Sequence, residues 1–141
     1  MGIAMAACKA KQPDEPKTVT ANQERKIQHM QISIGNRHFS VALEDNETAR
    51  TLMGKLPIAV NMSELNGNEK YVYLSDSLPA KPESIGTIKA GDIMLYGDNC
   101  LVVFYQGFET TYRYTRIGHI EAASGLEAAL GKDHVEVVFG R

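Results

Sequence analysis

The chain has 141 residues, 43% of them hydrophobic and 23% charged, with a formal net charge of −2. That is about one domain's length, enough to bury a core without metal or disulfide staples. The charge is spread without a basic block, which argues against a nucleic-acid partner, and no apolar run of about 18 residues is present to span a membrane.

Two cysteines, Cys8 and Cys100, make no disulfide framework. Cys100 opens an apolar stretch and reads as a buried, inert thiol. Residues 1–26 are expected to be a disordered segment ahead of a domain at 27–141. Lys9–Lys17 is charged and broken by Pro13 and Pro16, a composition that cannot bury apolar surface and suits a linker. Met5-Ala6-Ala7-Cys8 resembles a bacterial lipobox, where a cysteine behind small residues is lipidated. Met5 stands where leucine is usual, and seven residues are too few for a full signal. The match is either the end of a longer signal, which implies a lipid-anchored protein of the cell envelope, or coincidence, which leaves a cytoplasmic one.

Met30, Ile32 and Ile34 alternate with polar residues, as do Phe39, Val41 and Leu43, around Gly35-Asn36. That is a β-hairpin at roughly 27–34 and 38–44. Asp45 or Asn46 caps a helix over 46–55, with Ala49, Leu52, Met53 and Leu56 on one face and Pro57 ending it. Ala59–Leu65 and Tyr71–Leu74 read as strands around the Asn66-Gly67 turn. Residues 75–90, with Pro79 and Pro82, read as a long surface loop of the kind that is often functional.

Gly91–Tyr96 and Leu101–Tyr105 are apolar strands, followed by shorter ones at Thr111–Thr115 and Ile117–Glu121. Ser124 and Glu127 match a capping box, predicting a short helix at about 125–130 ended by Gly131. Val135, Val137 and Phe139 form a last strand. Many short strands at even spacing predict a sandwich or barrel. The expectation is a mainly β protein, a closed eight-stranded antiparallel barrel whose open ends are plugged by two short helices.

This order of elements is similar to the cyclophilin fold, and the chain resembles the small bacterial cyclophilin-like family. The resemblance is carried by Leu43–Ala49, Leu56-Pro57, Met62–Tyr71 and Gly86–Tyr96. Phe104-Tyr105, Tyr114–Gly118 and Ala129–Gly131 extend it. True cyclophilins isomerise X-Pro bonds with the arginine of a Phe-His-Arg motif on the strand after the first helix. That strand here reads Ile58–Glu64, with neither arginine nor histidine, and Glu64 has the wrong sign to weaken amide resonance at a prolyl nitrogen. Tyr105-Gln106-Gly107 is similar to the family's Gln-Gly-Gly turn but comes too late in the chain. The resemblance therefore implies a fold without efficient isomerase activity.

His29, His38, His119 and His134 show no spacing typical of a zinc site. His119 is the one with a claim to a site. Ser63 and Ser124 lack a nucleophile elbow. Glu64 and Glu69 flank the Asn-Gly turn, where a buried carboxylate pair can do acid–base work and an exposed pair is only solvated.

Eight aromatic residues crowd the strands between Tyr71 and Tyr114. Outward ones beside Arg113 or Arg116 would make a groove for a peptide or small ligand. The candidate ligand-binding residues are Glu64, Glu69, Tyr71, Tyr112, Tyr114 and Arg116, with no catalytic or metal-binding residue and no cofactor expected. A non-catalytic binding module is one reading; a weak or atypical prolyl isomerase and an accessory domain for a partner protein, for instance a redox protein, are the others.

Overall fold

The alternation that marks the opening hairpin is realised in β1 (His29–Ile34) and β2 (Arg37–Leu43), paired antiparallel with Ile32 opposite Phe39. The computed structural model describes residues 27–141. The lipobox-like tetrapeptide ending at Cys8 and the charged linker lie outside them. Among the described residues no helix is long and apolar enough to cross a membrane.

Helix α1 (Glu47–Met53) begins where expected: the Asn46 side chain accepts a hydrogen bond from the Ala49 N–H at 2.8 Å, satisfying one of the helix's orphan donors. Its buried face is Thr48, Ala49 and Leu52. Then come β3 (Ile58–Leu65), β4 (Glu69–Tyr73), β5 (Glu83–Ile88), β6 (Asp92–Tyr96), β7 (Cys100–Phe104), β8 (Phe108–Ile120), α2 (Leu126–Leu130) and β9 (Val135–Gly140).

The strands hydrogen-bond in the order β2-β1-β9-β3-β4-β7-β6-β8-β5, and β2 also pairs with β8. Eight strands thus close into a ring, with β5 as a ninth outside it. Ile32, Val41, Ile93, Leu95, Leu101, Val103, Ile117, Ile120, Val137 and Phe139 fill the interior. Both helices contribute to that interior from opposite ends. Helix α1 follows the end of β2, and Arg141, just beyond β9, donates to the Met53 carbonyl. Helix α2 lies by the start of β2, where Arg37 packs against Gly125.

Three expectations are corrected. Residues 75–90 are not all loop, because 83–88 is β5, paired along β8 from Phe108 to Tyr114. The strand is mostly exposed, with Ile88 its one fully buried residue, so it shows little of the apolar alternation by which strands are read. The two short strands predicted over 111–121 are one thirteen-residue strand, β8, whose register shifts at bulges against both β5 and β6. Such bulges reset which face a side chain takes, and Tyr114 and Thr115 are consecutive buried residues.

The third correction concerns the capping box of Ser124 and Glu127, which does not form. The N-cap is Gly125, with no side-chain cap bond, and the Glu127 carboxylate instead accepts from Gln106 Nε2 at 2.6 Å.

Strand β8 has two jobs. Its first half carries β5 as a ribbon, and its second half is a barrel stave between β6 and β2. Closure rests on three facing pairs, Val41–Ile120, Ala42–His119 and Leu43–Gly118. At Gly118 a Cβ would lie 2.7 Å from the Ala42 carbonyl oxygen and 2.9 Å from Val41 Cγ1, so only a bare backbone permits the approach. Gly118→Ala is expected to cost about 2 kcal/mol through overpacking and to lower Tm by roughly 10 °C. Gly140→Ala, with nothing within 4 Å of the added carbon, should leave Tm within a degree or two in the same calorimetric scan.

Candidate functional site

The β3–β4 hairpin decides which side chains face in and which face out. Asn66 and Gly67 both have positive φ, 57° and 69°, as the dipeptide suggests. A two-residue turn there would set Glu64 opposite Glu69. The connection instead includes Asn68, and the facing pairs are Glu64–Lys70 and Leu65–Glu69. One residue of register moves a side chain to the other face of a sheet. Glu64 and Lys70 therefore point into the barrel, whereas Glu69 points out with Tyr71 and Tyr73.

The inward group is a closed polar network. Lys70 is fully buried; its Nζ lies 2.9 Å from Glu64 Oε1, donates to the Asp133 carbonyl and sits 5.7 Å from the Tyr105 ring centroid. The Tyr105 hydroxyl donates to Glu64 Oε1 at 2.7 Å and the Gly67 N–H to Oε2 at 2.6 Å. Burial pushes the Glu64 carboxyl up, but Lys70, Tyr105 and the Gly67 amide outweigh it and hold the group below the usual carboxylate range. A buried lysine needs its partners, because its unpaired charge would be strongly destabilising. This network ties the β3–β4 turn, the end of β7 and the approach to β9 together, a sufficient structural role for Glu64.

The outward face of the β4-β7-β6 wall carries a groove of about 320 Å³ lined by Leu65, Glu69, Tyr71, Tyr73, Tyr96, Cys100, Val102, Tyr112 and Tyr114. Its floor is β7, which lies between β4 and β6. Tyr73 and Tyr96 both face Cys100, and Tyr71 faces Val102. One bank is thus Tyr71 and Tyr73, packed edge to face at 5.9 Å. The other is Tyr96, with centroids 5.5 Å from Tyr114 and 5.9 Å from Tyr112. Neighbouring strands lie about 4.8 Å apart, so the backbones that carry the two banks are roughly 10 Å apart across β7. Behind the groove, the β5–β8 ribbon folds over the wall and buries Ile88, Met94, Phe104 and Tyr114 as a second core.

Glu69 closes one end of this groove. It is 8% exposed, and none of the hydrogen bonds and ion pairs among the described residues reaches its carboxyl group. Burial, with a smaller push from the Glu64 charge, raises it to about 7. Burial together with the Glu69 charge also raises the Cys100 thiol and the Tyr114 hydroxyl, the latter to about 12.

Of the six candidate residues, the fold brings together Glu69, Tyr71, Tyr112 and Tyr114. Glu64 lies on the inner face of the hairpin. Arg116 lines a second cleft with Glu44, Lys89, Asp92 and His119, its Nε 3.7 Å from Glu83 Oε1. There His119 Nδ1 is 2.9 Å from Asp92 Oδ1, while Asp92 Oδ2 accepts the Lys89 N–H. Arg113 donates to the Pro82 carbonyl. The sequence reading missed Tyr73 and Tyr96 as groove residues; their alternation with Val72 and Leu95 was the available signal. No cluster of metal-binding side chains occurs among the described residues.

A sequence model of the cyclophilin-like family matches residues 32–140. The chain belongs to that family. The solution structure of the hypothetical protein AF2241 from Archaeoglobus fulgidus is similar in fold, with a TM-score of 0.63 and 19% identity over 82% of this chain and 95% of that one. No curated protein matches this chain. Family membership accounts for the ring of strands and the two helices. At 19% identity the structural likeness concerns the fold alone.

The raised Glu69 has a consequence for stability. A carboxyl whose folded value of about 7 exceeds its ordinary 4.5 holds its proton more tightly in the folded chain. Its contribution is complete below pH 4.5 and is lost as pH rises to about 7. Glu64, shifted the other way, contributes above pH 4.5 and loses its effect in acid. Glu69→Gln is therefore expected to remove a decline in Tm between pH 5 and 7 and to raise Tm at pH 8 by about 5 °C, measured by thermal denaturation at each pH. An unchanged profile would contradict the burial of this carboxyl.

Proposed function

We propose that this member of the cyclophilin-like family is a non-catalytic binding module whose tyrosine groove takes a peptide or small ligand. The observation that carries the reading is the exposure of well-packed aromatic side chains on a rigid wall. Tyr73, Tyr96 and Tyr112 are 67%, 47% and 61% exposed, yet each packs against another tyrosine ring. Aromatic rings held this way lose little freedom on binding and offer large contact areas with polar tips.

Against isomerisation stands the makeup of the lining. The described groove residues include no arginine, lysine or histidine, whereas weakening a prolyl amide calls for a cation beside its nitrogen. Arg113 and Arg116 are engaged on the β5–β8 ribbon, with Pro82 and Glu83.

Chemical-shift mapping with a library of short peptides and metabolites tests the proposal. Ligands should perturb the amides of 69–73, 96, 100–102 and 112–114 as one cluster. Tyr73→Ala and Tyr112→Ala should each weaken binding about tenfold with Tm unchanged, since both side chains are largely exposed. Proline-peptide isomerisation should run at the uncatalysed rate in the same preparation. Perturbations that avoid this cluster for every ligand would overturn the binding reading, and a rate enhancement abolished by substituting Arg113 or Arg116 would replace it with the isomerase one.

A further inference from the structure

We propose that the groove selects an alkylammonium group, held between the two tyrosine banks with the Glu69 carboxylate as its counter-charge. The inference rests on the tyrosine groove being the ligand site and adds the chemical class of what binds there.

Three observations converge. Five tyrosines converge on one trough, and ring faces attract a cation through their quadrupole, the means by which aromatic cages recognise quaternary ammonium groups. The two banks, built on β4 and β6, flank β7 on either side, with only the small Cys100 and Val102 side chains between them on the groove face. The groove's one carboxyl group among the described residues is that of Glu69, a residue 8% exposed, and no hydrogen bond or ion pair among those residues reaches it. Buried carboxyls are ordinarily hydrogen-bonded or paired. Here the facing positions on β3 and β7 are Leu65 and Phe104, neither of which can serve. The Glu69 carboxyl oxygens are not among the fully buried unpartnered atoms of the described residues; they open onto the groove, where a cation can reach them.

An anion is disfavoured by the same residues. It would meet Glu69 and the negative faces of the rings, with no basic side chain among the described lining residues. A neutral ligand can at most donate a hydrogen bond to the carboxylate and leaves its charge without a counter-charge.

The pairing couples binding to pH. Glu69 is raised to about 7, so at pH 6 it is largely neutral and at pH 8 largely ionised. A cation favours the ionised form and binding releases a proton. Around Glu69, β3 presents Leu65, β7 presents Phe104 and Cys100, β4 presents Tyr71 and Tyr73, and β6 and β8 present Tyr96, Tyr112 and Tyr114. Cys100 and Tyr114 are shifted upward, away from this range. Lys70 and Glu64, on the opposite face of the hairpin, hold each other in an ion pair.

The test compares two probes of one shape and different charge, choline and its neutral carbon isostere 3,3-dimethyl-1-butanol, titrated into the full-length protein by NMR. Neither probe titrates between pH 6 and 8, so any pH dependence belongs to the protein. Choline is expected to perturb Tyr71, Tyr73 and Tyr96 and to bind about tenfold more tightly at pH 8 than at pH 6. The isostere should bind at least tenfold more weakly than choline at pH 8. Glu69→Gln should abolish the pH dependence while keeping the fold, as its amide spectrum reports. A trimethyllysine peptide distinguishes a protein-borne ammonium group from a free one, since only the former gains affinity from flanking residues.

Equal binding of the two probes within the groove would overturn cation selectivity while leaving the groove as a ligand site. Perturbation of the groove by neither probe, with other library members still binding there, would also reject the ammonium class alone. Absence of any groove perturbation by any ligand would remove the binding reading itself.

Discussion

Everything described here depends on the ring being closed, and the ring is closed where β2 meets β8. That seam has only three facing pairs, Val41–Ile120, Ala42–His119 and Leu43–Gly118. A sheet of this size left open would expose two edges with unpaired backbone groups. The missing side chain at Gly118 lets the chains approach, and Ile117 and Ile120 lie inside with Phe139 and Val41. Strand β8 reaches the seam only after a bulge against β6. The bulge separates its ribbon-forming half from its barrel-forming half.

Closure gives the molecule an inside and an outside, and both faces of one wall are used. Inside, β4, β7 and β6 contribute Val72, Val103, Leu101, Leu95 and Ile93 to the main core. Outside, the same strands present Tyr71, Tyr73, Val102, Cys100 and Tyr96. A barrel of eight strands fills its interior with side chains and leaves little space for a ligand there. The groove proposed as the binding site lies on the outer face. The β5–β8 ribbon shapes it by covering part of the wall and bringing Tyr112 and Tyr114 against Tyr96.

The two carboxylates near the Asn-Gly turn show how the same residue type acquires opposite roles. Glu64 is surrounded by donors from Lys70, Tyr105 and Gly67, so its charge is held and helps to hold a buried lysine. Glu69 faces leucine and phenylalanine across the neighbouring strands, and its charge is opposed by burial. The first arrangement locks a turn. The second leaves an acid at the end of a tyrosine trough with no ion-pair or hydrogen-bond partner among the described residues.

Local pattern was enough to reveal the hairpin of β1 and β2, the Asn46-capped helix, the turn at Asn66-Gly67 and the final strand, because period and cap chemistry act between residues close in the chain. The resemblance to the cyclophilin-like family is carried by Leu43–Ala49, Met62–Tyr71, Gly86–Tyr96 and shorter stretches, and it agrees with the closed barrel that the strand spacing suggests. Strand β5 escaped because its residues are mostly exposed and its partners on β8 lie 20 to 31 residues on. The capping box at Ser124 failed because Gln106, distant in sequence, engages Glu127 instead. The candidate site divided for a like reason. The sequence by itself determined that tyrosines and glutamates would be present on these strands. Only the tertiary structure decided which of them meet, since the three-residue connection at 66–68 and the bulges of β8 set the register, and register sends each side chain to one face or the other.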